Sequence, residues 1–354
     1  MKYFIIAAEV SGDMHSSQLV KHIQAIDKDA VFIGVGGPAL QAANVKLIFG
    51  LERVAFMGFF EVVKNIFTIW RNFKEVKNSI LQTKPDRVIL VDYAGFNLRI
   101  AKWCKQHHIK VAYYISPKIW AWNESRVEII KKYVDVMLCV FPFEIPFYQK
   151  HQYTTAYFVG HPLQDSIAKI VNESSSTAKN HIALLPGSRR QEIKALLPMM
   201  LATTNDFPNE KFVIAGMSAV NELYQIPLPN NVSIVYDATY DVLQYAKAAI
   251  VCSGTATLET ALFSVPQVVV YKTSWINYQI GKRLAKVRFI SLPNLIVDNL
   301  LVKELIQDDC TKENCSQALQ LLLQQQSTEF YASLQAKMQR PTLTDSGAQL
   351  IVRL

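Results

Sequence analysis

Lys2–Ile26 reads KYFIIAAEVSGDMHSSQLVKHIQAI. Lys2–Ala8 is an almost unbroken apolar run, short enough for a strand and without the alternation of a half-exposed one. Such runs belong to strands covered on both faces, as in parallel sheets. Glu9, Ser11, Gly12 and Asp13 then form a polar turn, and Ser16–Ile26 resumes with helical spacing. Strand, turn and helix within 25 residues are half of a βαβ unit, so the fold question becomes whether the unit recurs.

It recurs throughout. Ala30–Val35, Asp86–Asp92, Ile109–Ile115 and Val134–Val140 read as further buried strands, with helical stretches such as Phe96–His107 between them. The polar, aperiodic stretch Val171–Asn180 interrupts the rhythm and reads as a surface connection. A second series follows at His181–Leu185, Lys211–Ala215, Val232–Tyr236, Ala248–Cys252 and Pro266–Tyr271, then helical Thr311–Gln326 and Thr328–Arg340. The 354 residues suit two domains of this size. The sequence thus predicts an α/β protein of two doubly wound parallel sheets facing a central cleft. The domains are 1–170 and 171–340, and 341–354 forms a helix that packs back on the first.

Composition narrows the class. Half the residues are apolar, and no uncharged apolar run reaches membrane-spanning length. The N-terminus runs directly into Glu9 and Asp13 and reads as a first strand, not a signal peptide. Five cysteines without a CxxC pair suit free buried thiols in a reducing compartment. The net charge of +8 is lopsided: residues 1–160 hold 20 Lys+Arg against 13 Asp+Glu. That half is expected to meet an anionic partner, unless the excess is an ordinary basic surface.

Two turns of the second half are candidate anion sites. Leu185-Pro186-Gly187-Ser188-Arg189 joins a strand to a helix, where free N–H groups and an Arg fork suit phosphate. Ser253-Gly254-Thr255 repeats the arrangement, and Glu259 follows about one turn later, placed to accept from ribose hydroxyls. The first turn also reads as a plain turn with a helix capped by Ser188, and either turn alone is a weak signal. The dinucleotide fingerprint GxGxxG is absent, and the carboxylates and histidines show no metal-ligand spacing of note.

In the first half, Asp92 ends the strand Arg87–Val91 and is a candidate general base or a loop anchor. Ser11 or Asp13 is a candidate helix cap. His161, between Gly160 and Pro162, reads as structural. Val54–Lys74 interleaves Phe56, Phe59, Phe60, Phe67, Trp70 and Phe73 with Lys64, Arg71 and Lys74. Its apolar residues occupy more than one face, which fits either a membrane-interface helix or one buried between neighbours.

Several segments together resemble one family. Glu9-Val10-Ser11-Gly12-Asp13, Ser116-Pro117-Lys118-Ile119-Trp120-Ala121-Trp122, Phe141-Pro142-Phe143-Glu144 and Gly160-His161-Pro162 resemble segments of lipid-A-disaccharide synthases. Leu185–Arg189, Ser253–Glu259 and Ser291-Leu292-Pro293-Asn294-Leu295 follow in the family's order. The resemblance implies an inverting GT-B transferase that needs neither metal nor cofactor. It would join UDP-2,3-diacylglucosamine to 2,3-diacylglucosamine 1-phosphate through a β-1,6 link. By the same resemblance Asp92 is the base. Gly187, Ser188, Arg189, Ser253, Gly254, Thr255, Glu259 and Asn294 would hold UDP, while Glu9, Ser11, Gly12, Trp120, Trp122, Phe59, Phe60, Phe67 and Trp70 lie toward the acceptor lipid. The implied location is cytoplasmic and peripheral on the anionic inner face of the inner membrane, with no nucleic-acid partner.

Two departures stand out. The family's IDAPDFN is Val91-Asp92-Tyr93-Ala94-Gly95-Phe96-Asn97, so its second carboxylate is Gly95 here. Its AGR after SLPNL is replaced by Ile296-Val297-Asp298-Asn299, which puts a basic donor contact there in doubt. Other readings to separate are a GT-B UDP-GlcNAc transferase or epimerase acting on a non-acylated sugar, and a non-catalytic lipid- or nucleotide-binding homologue.

Overall fold

A computed structural model describes residues 1–53, 66–173, 179–284, 287–324, 330–339 and 346–354. The chain divides into two compact units, Met1–Pro162 with Gln339–Leu354, and Leu163–Met338.

The first unit is built on a seven-stranded sheet: β1 (Lys2–Ala7), β2 (Val31–Val35), β3 (Lys46–Phe49), β4 (Arg87–Val91), β5 (Lys110–Tyr114), β6 (Val136–Cys139) and β7 (Ala156–Phe158). Its order is β3-β2-β1-β4-β5-β6-β7. Every pairing is parallel, for example Ile5↔Ile89 and Leu90↔Tyr113. The second unit has β8 (His181–Leu185), β9 (Phe212–Gly216), β10 (Val232–Tyr236), β11 (Ala246–Cys252), β12 (Gln267–Tyr271) and β13 (Lys303–Ile306), ordered β10-β9-β8-β11-β12-β13 and also parallel. Strands β1, β4, β8 and most of β11 are buried along their length. That burial is why they read as continuous apolar runs.

Both orders reverse direction once. Strands run outward to one side from β1 and to the other from β4; the second sheet does the same at β8 and β11. At such a switch point the two connecting helices leave on opposite faces and open a crevice at the carboxyl ends of the strands. The turns singled out in the sequence follow these four strands: Glu9–Asp13 after β1, Asp92 after β4, Gly187–Arg189 after β8 and Ser253–Thr255 after β11.

The unit boundary lies earlier than the polar stretch at Val171–Asn180 predicted. Leu163–Glu173 is a helix whose Leu163 and Ile167 join the apolar cluster of Ala183, Leu185, Val251 and Phe263. Those two side chains tie the helix to the second sheet, so the division falls at Pro162. At the other end, helix Gly347–Arg353 packs against helix Val10–Ile26 in the first unit, with Ala348 and Ile351 buried. All five cysteines are free and buried.

Candidate active site

In the first unit the crevice centres on Asp92. The chain leaves β4 through two consecutive left-handed residues, Asp92 at φ +45° and Tyr93 at φ +47°. Neither is glycine, so the turn is strained and the surroundings must hold it. They do. The Asp92 N–H donates to Tyr114 O at 3.0 Å, and the Asp92 carbonyl accepts from Asn97 Nδ2 at 2.8 Å and from the Tyr113 hydroxyl. Asn97 also donates to Val91 O at 3.0 Å. The carboxylate Oδ1 accepts the adjacent Tyr93 N–H at 2.8 Å. Burial raises the Asp92 carboxyl above the usual range, opposed by the Tyr93 N–H and by the Lys118 ammonium. A carboxylate made more basic at a sheet's switch point fits proton abstraction.

The neighbouring turn supplies Glu9 at the N-cap of helix Val10–Ile26. Its charge is felt by Tyr93 and Tyr113, so it lies on the same side as Asp92. Ser11 is exposed, and Gly12 is buried against Val91, where a Cβ would sit at an ordinary 3.5 Å. Asp13 does not cap its own helix. Its carboxylate accepts N–H groups of Gly37, Ala39 and Leu40 and fixes the next helix start, Pro38–Ala42. Gly95 is exposed, and a Cβ there would meet nothing within 4 Å. The missing second carboxylate therefore has no steric reason.

Trp120 is half-buried, with its Nε1 donating to Glu144 at 3.3 Å, while Trp122 is exposed beneath the Arg126 guanidinium. His161 is buried against His15 and Phe141. Helix Ile66–Thr83 turns Val76 and Ile80 into the core, where Ile69 and Phe73 join them. It leaves Phe67 84% and Trp70 68% exposed, so only one face is buried. Phe59 and Phe60 lie outside the described residues.

In the second unit the two turns are neighbours, because β8 pairs with β11. Gly187 has φ +113°, and a Cβ there would collide with Glu192 at 2.6 Å. The turn is not an open anion nest, however. The Ser188 and Arg189 N–H groups both donate to Glu192 Oε2 at 3.1 Å, and Arg189 Nη1 pairs with Glu192 Oε1 at 3.1 Å. Glu192 is the acidic half of a capping box and fills the place a phosphate would take. The Arg189 side chain is 71% exposed, so its ion pair with Glu192 is open to solvent.

The other turn is open. Gly254 has φ +153° and ψ −160°, a region essentially reserved for glycine. A Cβ on Gly254 would meet nothing within 4 Å, so the backbone lies bare at the start of helix Thr255–Leu262. Gly254 and Thr255 are exposed, and no side chain caps that helix. Ser253 is committed inward, its hydroxyl donating to Ile290 O at 2.9 Å. Glu259 Oε1 accepts from the Tyr240 hydroxyl at 2.8 Å, and burial raises its carboxyl.

Asn294 lies inside the fold. It is fully buried, its Nδ2 donating to Val302 O and Glu304 and its Oδ1 accepting from the Leu301 and Val302 N–H groups. Its side chain is engaged inside the protein, where it braces the turn. Sequence reading missed its partner Glu304, which also collects the N–H groups of Ile290 and Ser291 and the Ser291 hydroxyl. The SLPN segment thus holds up the loop on which Ser253 leans. Near Asp298, the basic group present is Lys337, which donates to Val297 O at 2.7 Å.

Among the described residues no cluster of three His, Cys, Asp or Glu could hold a metal ion, and no helix is long and apolar enough to cross a membrane.

Two parallel α/β sheets of this order, each with polar turns at its switch point, are the architecture of the GT-B fold. Solved structures share that fold over the whole chain. A UDP-GlcNAc 2-epimerase from Neisseria meningitidis bound to UDP-GlcNAc has TM-score 0.63 and 12% identity, covering 100% of this chain and 98% of its own. The glycotransferase of kitacinnamycin has TM-score 0.67 and 12% identity, covering 99% and 98%.

Sequence comparison gives the family. Residues 3–347 match the lipid-A-disaccharide synthetase family, and the chain belongs to it. The lipid-A-disaccharide synthase of Geobacter sulfurreducens is 37% identical over 88% of this chain and 85% of its own. That of Nitrosococcus oceani is 36% identical over 93% and 90%. The chain is therefore a hexosyltransferase of lipid A biosynthesis, which favours this reading over a general UDP-GlcNAc enzyme or a non-catalytic homologue.

Proposed function

We propose that the enzyme transfers the sugar of UDP-2,3-diacylglucosamine to the 6-hydroxyl of 2,3-diacylglucosamine 1-phosphate, inverting the anomeric carbon and releasing UDP. Asp92 takes the hydroxyl proton as that oxygen attacks, and the bond to the UDP oxygen breaks. The observation that carries this reading is the Asp92 carboxylate itself, held on a strained turn and made more basic by burial. Glu9 stands beside it and suits a contact to an acceptor hydroxyl.

The departing diphosphate is met by the bare N–H groups at Gly254 and Thr255, with Arg189 swinging from Glu192 to join them. Glu259 receives the ribose hydroxyls. No metal and no cofactor take part, so dipoles and the guanidinium meet the developing charge.

The acceptor side works at the cytoplasmic face of the anionic inner membrane, with Phe67 and Trp70 entering the interface and the basic excess of the first half drawing the protein there. Nucleic acid is not a partner. The test is incubation with both acylated sugars, following disaccharide and UDP by mass spectrometry. Release of UDP without disaccharide, or equal use of a non-acylated donor, would refute the assignment.

A further inference from the structure

The buried carboxyl of Glu144 has no part in the chemistry above, yet it sits beneath the same sheet edge. Glu144 is 1% exposed at the start of helix Glu144–Lys150. Its Oε2 accepts the Phe141 N–H at 3.0 Å and its Oε1 accepts the Trp120 indole N–H at 3.3 Å. One carboxyl therefore fastens the segment after β5, which carries Trp120, to the segment after β6, which carries Phe141.

Around that fastening the rings form a row. Trp120 meets Phe143 edge-on at 4.7 Å, Phe143 stacks on Phe141 at 5.3 Å, and Phe141 meets His161 at 5.2 Å. His161 meets His15 at 5.9 Å, which brings the row to the helix that begins at Glu9. Trp120, Phe143 and His15 are half-buried, whereas Phe141 and His161 are buried. The row thus runs along the carboxyl edge of the sheet and keeps a partly open face. An indole donor that is half-buried needs a partner, and Glu144 is that partner.

We propose that Glu144 is a positioning residue for the acceptor. By holding the Trp120 indole, it sets the aromatic row as a rigid apolar wall against which an acyl chain of the acceptor lies. This rests on the reading of the substrate as an acylated sugar.

Glu144 is pushed up to about 8, mainly by burial, and every group that lowers it is a neutral donor: Phe141, Trp120, Ser116 and Val140. The other titratable groups facing it are the Cys139 thiol on β6 and the Tyr148 phenol on its own helix, both held neutral by burial. The protonated carboxyl has one good acceptor oxygen and holds the two N–H groups less firmly than the carboxylate does. Each of these donors favours the anion, so the hold on Trp120 tightens as the carboxyl ionises above about pH 8.

The experiment is steady-state kinetics from pH 6.5 to 9.5 on the full chain, with wild type, Glu144→Ala, Glu144→Gln and Trp120→Leu. Glu144→Ala and Trp120→Leu are each expected to raise KM for the acylated acceptor by roughly 10-fold, about the worth of one or two buried interactions. The kcat and the donor KM stay within about 2- to 3-fold. Glu144→Gln keeps one acceptor, shows a smaller rise, and loses the decrease in acceptor KM that wild type shows above about pH 8. Equal losses in kcat and in both KM values, or an alkaline fall in acceptor KM that persists in Glu144→Gln, would overturn the proposal. If Glu144→Ala does not fold, the other two variants decide. Failure of wild type to couple the two acylated sugars defeats the substrate reading instead, and Glu144 variants that behave like an active wild type defeat only this inference.

Discussion

The two switch points are built from the same topology and are opposite in character. After β4 the turn is strained, made of non-glycine residues, and braced by Tyr113, Tyr114 and Asn97 so that one carboxylate is presented in a mostly buried setting. After β11 the turn is a glycine in a conformation natural to it, exposed, with bare backbone donors. The first arrangement raises a carboxyl and holds it; the second binds charge without titrating. Proton transfer needs a group with a tuned affinity and fixed direction, whereas a diphosphate needs donors and room. The difference between the turns matches that difference in tasks.

The sharpest way to break the contrast is to disarm each turn separately. Asp92→Asn should lower turnover by roughly 100-fold or more, as for loss of a general base, measured by disaccharide formation at saturating substrates. Gly254→Val should act on the other side. A β-branched residue forced to φ +153° costs about 1–3 kcal/mol and covers the bare donors, so UDP affinity by calorimetry should fall by roughly 10-fold or more. Unchanged affinity would mean that UDP binds elsewhere.

Smaller effects sharpen the comparison. Arg189→Ala should weaken UDP binding by roughly 3- to 10-fold, because an exposed guanidinium already paired with Glu192 contributes modestly. A variant with unaltered affinity would remove Arg189 from the site. Replacing Phe67 and Trp70 by Ser should reduce flotation with anionic vesicles while turnover on detergent-dispersed substrate stays within about 2-fold. Binding insensitive to both changes and to salt would contradict the membrane contact.

The smallest effect is on stability and has a definite sign. Burial raises the folded-state affinity of Asp92 for its proton, so its contribution is present below the unfolded carboxylate range and lost as pH rises through the folded value. Asn carries no such cost. Asp92→Asn should therefore be more stable than wild type at pH 7, by the 0.5–2 kcal/mol common when a functional group is replaced, with the gap closing toward about pH 4. Thermal denaturation at the two pH values measures it; lower stability at pH 7 would show that the carboxylate braces the turn.

Much of this was legible beforehand, for physical reasons. Central strands buried on both faces leave an unmistakable apolar run, and β1, β4, β8 and β11 were all found by it. The edge and near-edge strands β3, β7 and β13 were not, since Lys46–Phe49, Ala156–Phe158 and Lys303–Ile306 are short and partly exposed. Asp92 stood out by its place at a strand end. The left-handed geometry that tunes it had no sequence signal, since neither residue is Gly. The internal bonds of Asn294 and Ser253 were not legible, because hydrogen-bonding residues in a loop look alike whether they face ligand or backbone. Only the partners, Glu304 and the Ile290 carbonyl, tell the two apart, and both are distant in sequence. Likewise Glu192 was visible as a residue but not as the occupant of its own helix start.

The division of labour between the turns is tested most directly by calorimetry of UDP and turnover measured on the same preparation of Asp92→Asn. The prediction is a UDP dissociation constant within about 2-fold of wild type together with turnover lowered by roughly 100-fold or more. Turnover near wild type, or UDP affinity falling in step with it, would contradict the account.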